Sequence, residues 1–304
     1  MASLLIAIVP VFALLILGNI ARRSGFLADS FWREAEKATY YILFPALLVK
    51  DLAKANVDYT EAGLLLALAA AIPLVATVLC FMFKPWLRLN GADFTSFFQG
   101  GIRFNTFIGL ALVAATLPAQ AMPMAAILIA VMIPLINLLC IAVFARYAQG
   151  QLHTHALLLA IVKNPLIVAC VLGVILHQLP FTLPMVLWAV LDKLAQMALP
   201  VGLLAVGAGL HLQALRASGI TLLGSSLIKL LVLPALFYGV CRWLQLDAVM
   251  TSVVVTFAAL PTASSAYILA RQLGGNAAMM AVLITGQTLL SLFTLPLILL
   301  WVRP

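Results

Sequence analysis

The sequence contains very little charge, since only 9% of its 304 residues are Asp, Glu, Lys or Arg. About a quarter of the residues in a typical soluble domain are charged, so this composition excludes an ordinary soluble domain. Hydrophobic residues take their place, at 65% of the chain with a mean hydropathy of +1.18. Apolar stretches of membrane-spanning length recur along the whole sequence. It therefore predicts an all-α integral membrane protein surrounded by the lipid bilayer.

Acidic residues are scarcer than basic ones, 9 against 17, which gives a net charge of +8. No basic run is interleaved with aromatic residues, so nucleic acid is not an expected partner. The four cysteines lie in apolar segments without the spacing of a metal or redox site. Neither an HExxH motif nor a recognisable pair of nucleophile and base occurs. The sequence thus favours a protein that is not an enzyme and needs no cofactor or metal.

Apolar length divides the chain into ten predicted membrane helices. Their approximate bounds are 3–21, 38–53, 62–84, 94–117, 121–146, 157–178, 183–211, 219–242, 248–271 and 276–302. Lys and Arg are concentrated in the odd-numbered loops, and such residues accumulate on the cytoplasmic side of membranes. This bias predicts a multi-pass protein of the cell (inner) membrane, with both termini outside.

Prolines match between the two halves of the chain. Pro45 and Pro200 are 155 residues apart, and Pro73 and Pro234 are 161 apart. Two halves of five helices each would enter the membrane in opposite senses, which is the inverted repeat typical of transporters. The predicted division is a first five-helix repeat at 1–146, a short cytoplasmic connection at 147–156 and a second repeat at 157–304.

The predicted fourth helix contains the polar segment GIRFNT, and its counterpart in the ninth helix is LPTASS. We expect Gly100, Gly101 and Asn105 to break the fourth helix and Pro261 to break the ninth. Half-helices restarting at Asn105 and Pro261 would aim backbone N–H groups at one central point, and Asn105 could cap the first of them. Arg103 adds a full positive charge there. The two segments therefore predict a site for an anion such as a carboxylate.

The candidate substrate-binding residues are polar groups of these segments and of neighbouring helices. They are Arg103, Asn105, Thr106, Pro261, Thr262, Ser264, Asn137 and Gln287. A structural role is the alternative for several of them. Arg103 could reach the membrane surface or pair with Asp192 or Asp51, and Asn137 and Gln287 could simply bond to neighbouring helices.

Four motifs carry a resemblance to a known family. They are RFNTFIGLAL at 103–112, KNPLIVACVLGVIL at 163–176, IKLLVLPAL at 228–236 and LPTASSAYILARQLGG at 260–275. In these motifs the chain is similar to the auxin efflux carrier family, which includes bacterial malonate-type carriers and plant auxin exporters. The short connection between the predicted fifth and sixth helices makes a malonate-type bacterial carrier the closer comparison.

The resemblance implies ten helices in two inverted five-helix repeats, with broken helices four and nine crossing beside the substrate. It places Asn105, Pro261 and Thr262 at that crossing. It also implies a scaffold of helices one, two, six and seven, often dimeric, against which the other helices move like an elevator. A homodimer is therefore expected. The fourth helix lacks the crossover proline of many relatives.

The predicted function is secondary transport of small organic anions, carboxylates such as malonate, by alternating access. A sodium-coupled organic anion symporter of bile-acid-carrier type is one alternative, but the crossing supplies no Asp or Glu as a hard oxygen ligand. A non-transporting membrane receptor is the other. For proton coupling, Asp192, Asp51 and His177 are the candidates. Lys229 is expected to extend toward the membrane surface.

Overall fold

The computed structural model describes residues 2–54, 59–148, 164–179, 183–217 and 219–302, and every regular element in these ranges is helical. The α-helices are α1 (Ala2–Arg23), α2 (Asp29–Ala38), α3 (Phe44–Ala53), α4 (Tyr59–Leu87), α5 (Gly91–Ile102), α6 (Thr106–Thr116), α7 (Ala121–Tyr147), α8 (Pro165–Gln178), α9 (Met185–Ala208), α10 (Ile220–Leu227), α11 (Leu233–Trp243), α12 (Ala248–Ala259), α13 (Ser265–Gln272) and α14 (Ala277–Trp301). Two π-helical segments, Thr39–Leu43 and Ile228–Val232, join α2 to α3 and α10 to α11.

Seven helical stretches in the described ranges are long and apolar enough to cross a membrane. They are Ile6–Arg23, Ala62–Leu87, Gly91–Thr116, Ala121–Tyr147, Met185–Ala208, Ile220–Trp243 and Ala277–Trp301. Helices satisfy their own backbone hydrogen bonds, which a bilayer interior requires. The predictions of an all-α and multi-pass membrane protein are therefore confirmed. The total of ten crossings stays a prediction, because the beginning of the sixth span and most of the connection at 147–156 lie outside the described residues.

One group of helices, which we call the scaffold group, consists of α1, α2, α3, α8 and α9. Helix α1 lies along α9, and α3 packs against both α8 and α9. The backbones of α1 and α9 touch, since a Cβ atom at Gly18 would overlap the carbonyl oxygen of Leu204, and one at Gly207 would overlap that of Leu15. This group contains the described parts of the helices that the family resemblance assigns to a scaffold.

The remaining helices, α4–α7 and α10–α14, form what we call the crossing group. Helix α7 packs against α4, α5 and α12, while α14 packs against α5, α10 and α12. The core of this group includes Phe94, Phe97 and Phe98 of α5, which are fully buried. The crossing group meets the scaffold group where α7 contacts α3 and α8, where α14 contacts α1, and where α6 contacts α1 and α9. At that contact the ring of Phe107 occupies the space that a Cβ atom at Gly202 would need.

Candidate functional site

The first helix break lies between α5 and α6. Helix α5 ends at Ile102, and both Arg103 (φ −72°, ψ 152°) and Asn105 (φ −87°, ψ 101°) have extended backbones. Asn105 Oδ1 accepts hydrogen bonds from the N–H groups of Phe107 at 3.1 Å and Ile108 at 3.2 Å. Such a cap satisfies amides that have no partner inside the helix. The prediction that Asn105 caps the restarting helix is confirmed.

The two glycines before this break are themselves helical. Helix α5 continues through Gly100 and Gly101 to Ile102, so the prediction that these residues loosen the helix was wrong. A Cβ atom at Gly101 would overlap Sγ of Cys80 in α4, and one at Gly100 would lie 2.5 Å from Oγ of Ser225 in α10. The glycines are therefore needed for close packing of α5 against its neighbours.

The second break separates α12 from α13. Leu260 has an extended backbone (φ −66°, ψ 140°), as expected for a residue that precedes proline, and Pro261 has no N–H group with which to continue the helix. Helix α13 begins at Ser265 rather than at Pro261. The open segment is consequently longer than the sequence suggested, and its residues Ala263 and Ser264 line a cavity.

The two breaks are bonded to each other. The N–H group of Asn105 donates to the carbonyl oxygen of Pro261 at 2.8 Å. The hydroxyl of Thr262 lies 2.9 Å from the carbonyl oxygen of Gly100. The N–H group of Asn105 and the carbonyls of Pro261 and Gly100 are thus satisfied inside the protein, as irregular backbone at membrane depth requires.

Gln287 of α14 completes this bonding from behind the crossing. Its Oε1 accepts from the N–H group of Thr262 at 3.0 Å and lies 2.7 Å from the hydroxyl of that residue. Its Nε2 donates to the carbonyl oxygen of Gly100 and to Oγ of Ser225, both at 2.9 Å. Gln287 therefore joins α5, α10 and the segment before α13.

A cavity of about 480 Å³ lies in front of the crossing, between α2 and the two breaks. Its lining residues are Arg33, Glu36, Lys37, Tyr40, Tyr41, Phe44, Arg103, Phe104, Thr106, Phe107, Ile133, Ile136, Asn137, Leu166, Ala263, Ser264, Ser265 and Ile268. Both helix groups contribute to this lining. A ligand here would consequently touch the scaffold and the crossing at once.

The structure brings the eight predicted site residues to one region but in two layers. Those that line the cavity are Arg103, Thr106, Asn137 and Ser264. Those that lie behind it, buried and bonded within the protein, are Asn105, Pro261, Thr262 and Gln287. The first layer can contact a ligand, while the second holds the backbone of the crossing in place.

Arg103 has no acidic partner in the described part of the chain. Its Nη2 lies 3.4 Å from Oγ of Ser265, and its Nη1 lies 3.8 Å from Sγ of Cys140. Asp192, one of the possible partners weighed from the sequence, accepts instead from Lys50 at 2.8 Å and from Gln196 at 2.8 Å. The guanidinium therefore lies in the cavity with most of its hydrogen-bonding capacity unused.

Glu36 is a site residue that the sequence interpretation missed. Its Oε1 accepts a hydrogen bond of 2.5 Å from the hydroxyl of Ser264, which links α2 to the crossing. Burial raises the pKa of this carboxyl above its ordinary value, and the bond from Ser264 partly opposes that shift. The residue precedes the predicted span at 38–53 and lies in a predicted loop. Buried Trp32 on an otherwise polar helix is the signal that could have placed α2 inside the fold.

Lys229 also differs from its predicted placement. The side chain does not extend to a surface, because it is fully buried, and its Nζ has no hydrogen-bond partner among the described residues. It lies in the π-helical segment Ile228–Val232, one turn after Ser225. The expectation that it reaches the membrane surface was wrong.

Comparison with known proteins agrees with this architecture. Residues 151–299 match a family described as membrane transport protein. This range includes the last three resembling motifs and nearly all of the second predicted repeat. No curated protein matches the chain. The chain belongs to this family of membrane transport proteins, that of the auxin efflux carriers, whose members are transporters and not enzymes.

Proposed function

We propose that the protein is a secondary transporter of small carboxylates, such as malonate, and that it binds them in the cavity at the crossing. The observation that carries this proposal is the position of Arg103. Charged side chains inside a membrane protein are costly and usually paired. Arg103 has no acidic partner in the described ranges, yet it lines a cavity. A planar guanidinium so placed favours a ligand with a carboxylate group.

Other groups on the cavity wall complement such a ligand. Thr106 and Ser265, the first residues of α6 and α13, both line the cavity. Both hydroxyls and the amide of Asn137 add neutral donors. A volume of about 480 Å³ falls within the usual range for small-molecule pockets, roughly 300–1,000 Å³. The proposed substrate class is therefore small organic anions.

The four buried residues of the second layer act on the substrate indirectly in this proposal. Gln287 and Thr262 fix the carbonyl of Gly100, and Asn105 fixes the start of α6. Their bonds hold the backbone of the two breaks in place behind the residues that line the cavity. We assign them positioning roles.

For the transport step we propose alternating access, in which the crossing group slides against the scaffold group like an elevator. The packing supports this mechanism, because most helix contacts lie within one group or the other. The matched prolines and the family resemblance support two inverted repeats. The resemblance also supports a homodimer held together by the scaffold groups. The same resemblance favours a malonate-type carrier.

The direct test is malonate binding to purified wild type, Arg103→Lys and Arg103→Gln, measured by titration calorimetry. A charge-assisted hydrogen bond contributes about 1.5–3 kcal/mol, so Arg103→Gln should bind about ten- to a hundredfold more weakly. Arg103→Lys keeps the charge but loses the two-pronged geometry, so its malonate affinity should lie between those of wild type and Arg103→Gln. Arg271→Gln removes an exposed arginine of α13 outside the cavity and is the matched control.

Unchanged affinity in a folded Arg103→Gln protein would remove the main argument for an anionic substrate. Uptake of labelled malonate into proteoliposomes tests whether the bound carboxylate is also transported. Binding without uptake would favour a membrane receptor instead.

A further inference from the structure

We propose that a carboxylate binds at the crossing only when Glu36 is protonated, so that ionised Glu36 expels the substrate from this side of the transporter. The inference rests on the proposed function, because it assumes that the ligand is an anion. It assigns to Glu36 a role in substrate release that neither family membership nor the sequence motifs provide.

The geometry places Glu36 in direct competition with the substrate. Its Oε1 accepts a hydrogen bond of 2.5 Å from the hydroxyl of Ser264, the residue directly before α13. Arg103 and Ser265 line the same cavity. A carboxylate bound to Arg103 therefore faces the Glu36 carboxyl and competes for the same hydroxyl donor.

No salt bridge neutralises Glu36 in the described residues. On its own helix Arg33 and Lys37 are exposed at the cavity edge, and the amine of Lys37 lies 3.9 Å from Glu34 instead. The other titratable or charged groups that face the cavity are Tyr40 and Tyr41 from the π-helical segment and Arg103 from the crossing. Helices α7, α8, α9 and α13 contribute no titratable side chain to the cavity lining.

The substrate carboxylate and ionised Glu36 are both negative, and their repulsion determines how substrate affinity changes with pH. Burial already raises the pKa of Glu36, and a substrate carboxylate nearby disfavours the ionised form further. Binding of the anion thus takes up a proton from solvent, which converts the Glu36 carboxylate to a carboxylic acid. Affinity is highest below the pKa of Glu36 in the free protein. It falls as the pH rises above that value, by up to about tenfold per pH unit.

Proton uptake on binding is the measurable consequence. Malonate is titrated calorimetrically into the full-length protein at several pH values from about 7 to about 9, where it is a dianion, each time in two buffers of different ionisation enthalpy. Wild type should take up protons, to a limit of about one per malonate. Glu36→Gln should take up none, bind at least as tightly and lose the pH dependence, because glutamine is neutral and still accepts a bond from Ser264.

Glu34→Gln is the matched control. Glu34 lies on the same helix, is exposed and does not line the cavity, so its substitution should leave proton uptake at the wild-type value. Glu36→Asp retains a carboxyl group and should retain proton uptake.

Proton uptake by folded Glu36→Gln equal to that of wild type would overturn the inference. So would malonate binding to wild type that takes up no protons and keeps the same affinity from about pH 7 to about pH 9, and that result needs no variant to fold. In both cases carboxylate binding itself is intact, and the proposed function stands. A folded wild-type protein that binds no carboxylate would overturn the proposed function and this inference together.

Discussion

Lys229 is a fully buried basic residue in the core of the crossing group. Its amine has no acceptor within the described ranges, although Ser225 lies one turn earlier on the same helical run. Removing an ammonium group from water costs several kcal/mol unless hydrogen bonds or an opposite charge compensate. The amine of Lys229 therefore lowers the stability of the folded state, while the aliphatic part of the side chain packs favourably in the core.

Lys229→Met should consequently stabilise the folded protein. Methionine keeps the length of the side chain and removes the polar group, so we expect a gain of about 1–4 kcal/mol and a higher melting temperature in detergent. Lys193→Met, at an exposed position of α9, should change the melting temperature little. A lower melting temperature for Lys229→Met alone would mean that the amine makes a favourable interaction that the structure does not contain.

Single residues were predictable from the sequence where their role is local. Asn105 could be recognised as a helix cap because a cap bonds to amides two and three residues later. The partner of Glu36 could not be found in this way, since Ser264 is 228 residues away along the chain. The absence of an acidic partner for Arg103 likewise depends on where Asp192 lies in space.

Among the elements, α5 and α4 are in tight contact at Gly101 and Cys80. The contact explains why a residue with poor helix propensity occurs near the end of α5. Alanine is about 1 kcal/mol more favourable than glycine inside a helix, but a methyl group at this position meets the thiol of Cys80.

Gly101→Ala should therefore destabilise the protein by about 1–3 kcal/mol, despite its better helix propensity. Adding Cys80→Ala removes the opposing sulfur atom and should restore most of the loss in a thermal melt. Gly239→Ala is the control, because no atom lies near the position of its Cβ and only the favourable propensity remains. If glycine served to loosen α5, Gly101→Ala would instead raise the melting temperature and the second substitution would not matter.

The helices themselves were largely predictable from apolar length. The prediction at 121–146 corresponds to α7 (Ala121–Tyr147), and the one at 276–302 corresponds to α14 (Ala277–Trp301). Interruptions were harder to predict, because a glycine in a sequence can mark either a break or a close contact. Only the neighbouring Cys80 and Ser225 distinguish these cases at Gly100 and Gly101.

For the whole molecule, the basic-residue bias predicts which ends of the helices face the cytoplasm. Ser30→Cys, at the start of α2, should react with an impermeant thiol reagent only after cells are permeabilised. Ala248→Cys, at the start of α12, should react on intact cells. Background labelling should be low, since Cys80, Cys140, Cys170 and Cys241 are all buried. Labelling with the opposite preference would invert the topology.

The division into a scaffold group and a crossing group could not be derived from apolar periodicity. Nearly every predicted span is apolar on all sides, so its sequence does not indicate which neighbour it contacts. Side-chain size determines this packing instead, as at Gly18 and Gly207, where α1 and α9 touch. The family resemblance suggested the grouping because it carries information about such contacts.

The contact between Phe107 and Gly202 bears on the proposed sliding of the two groups, because the residues on either side of Gly202 differ in size. On α9, Ala198 lies one turn before Gly202 and Val206 one turn after it, and both are buried. A slide of one turn, about 6 Å, toward the Met185 end would bring the aromatic ring onto a single methyl group. The same slide toward Ala208 would press it against a branched valine. If the two groups slide as proposed, Phe107 would meet less steric hindrance from α9 toward its Met185 end than toward Ala208.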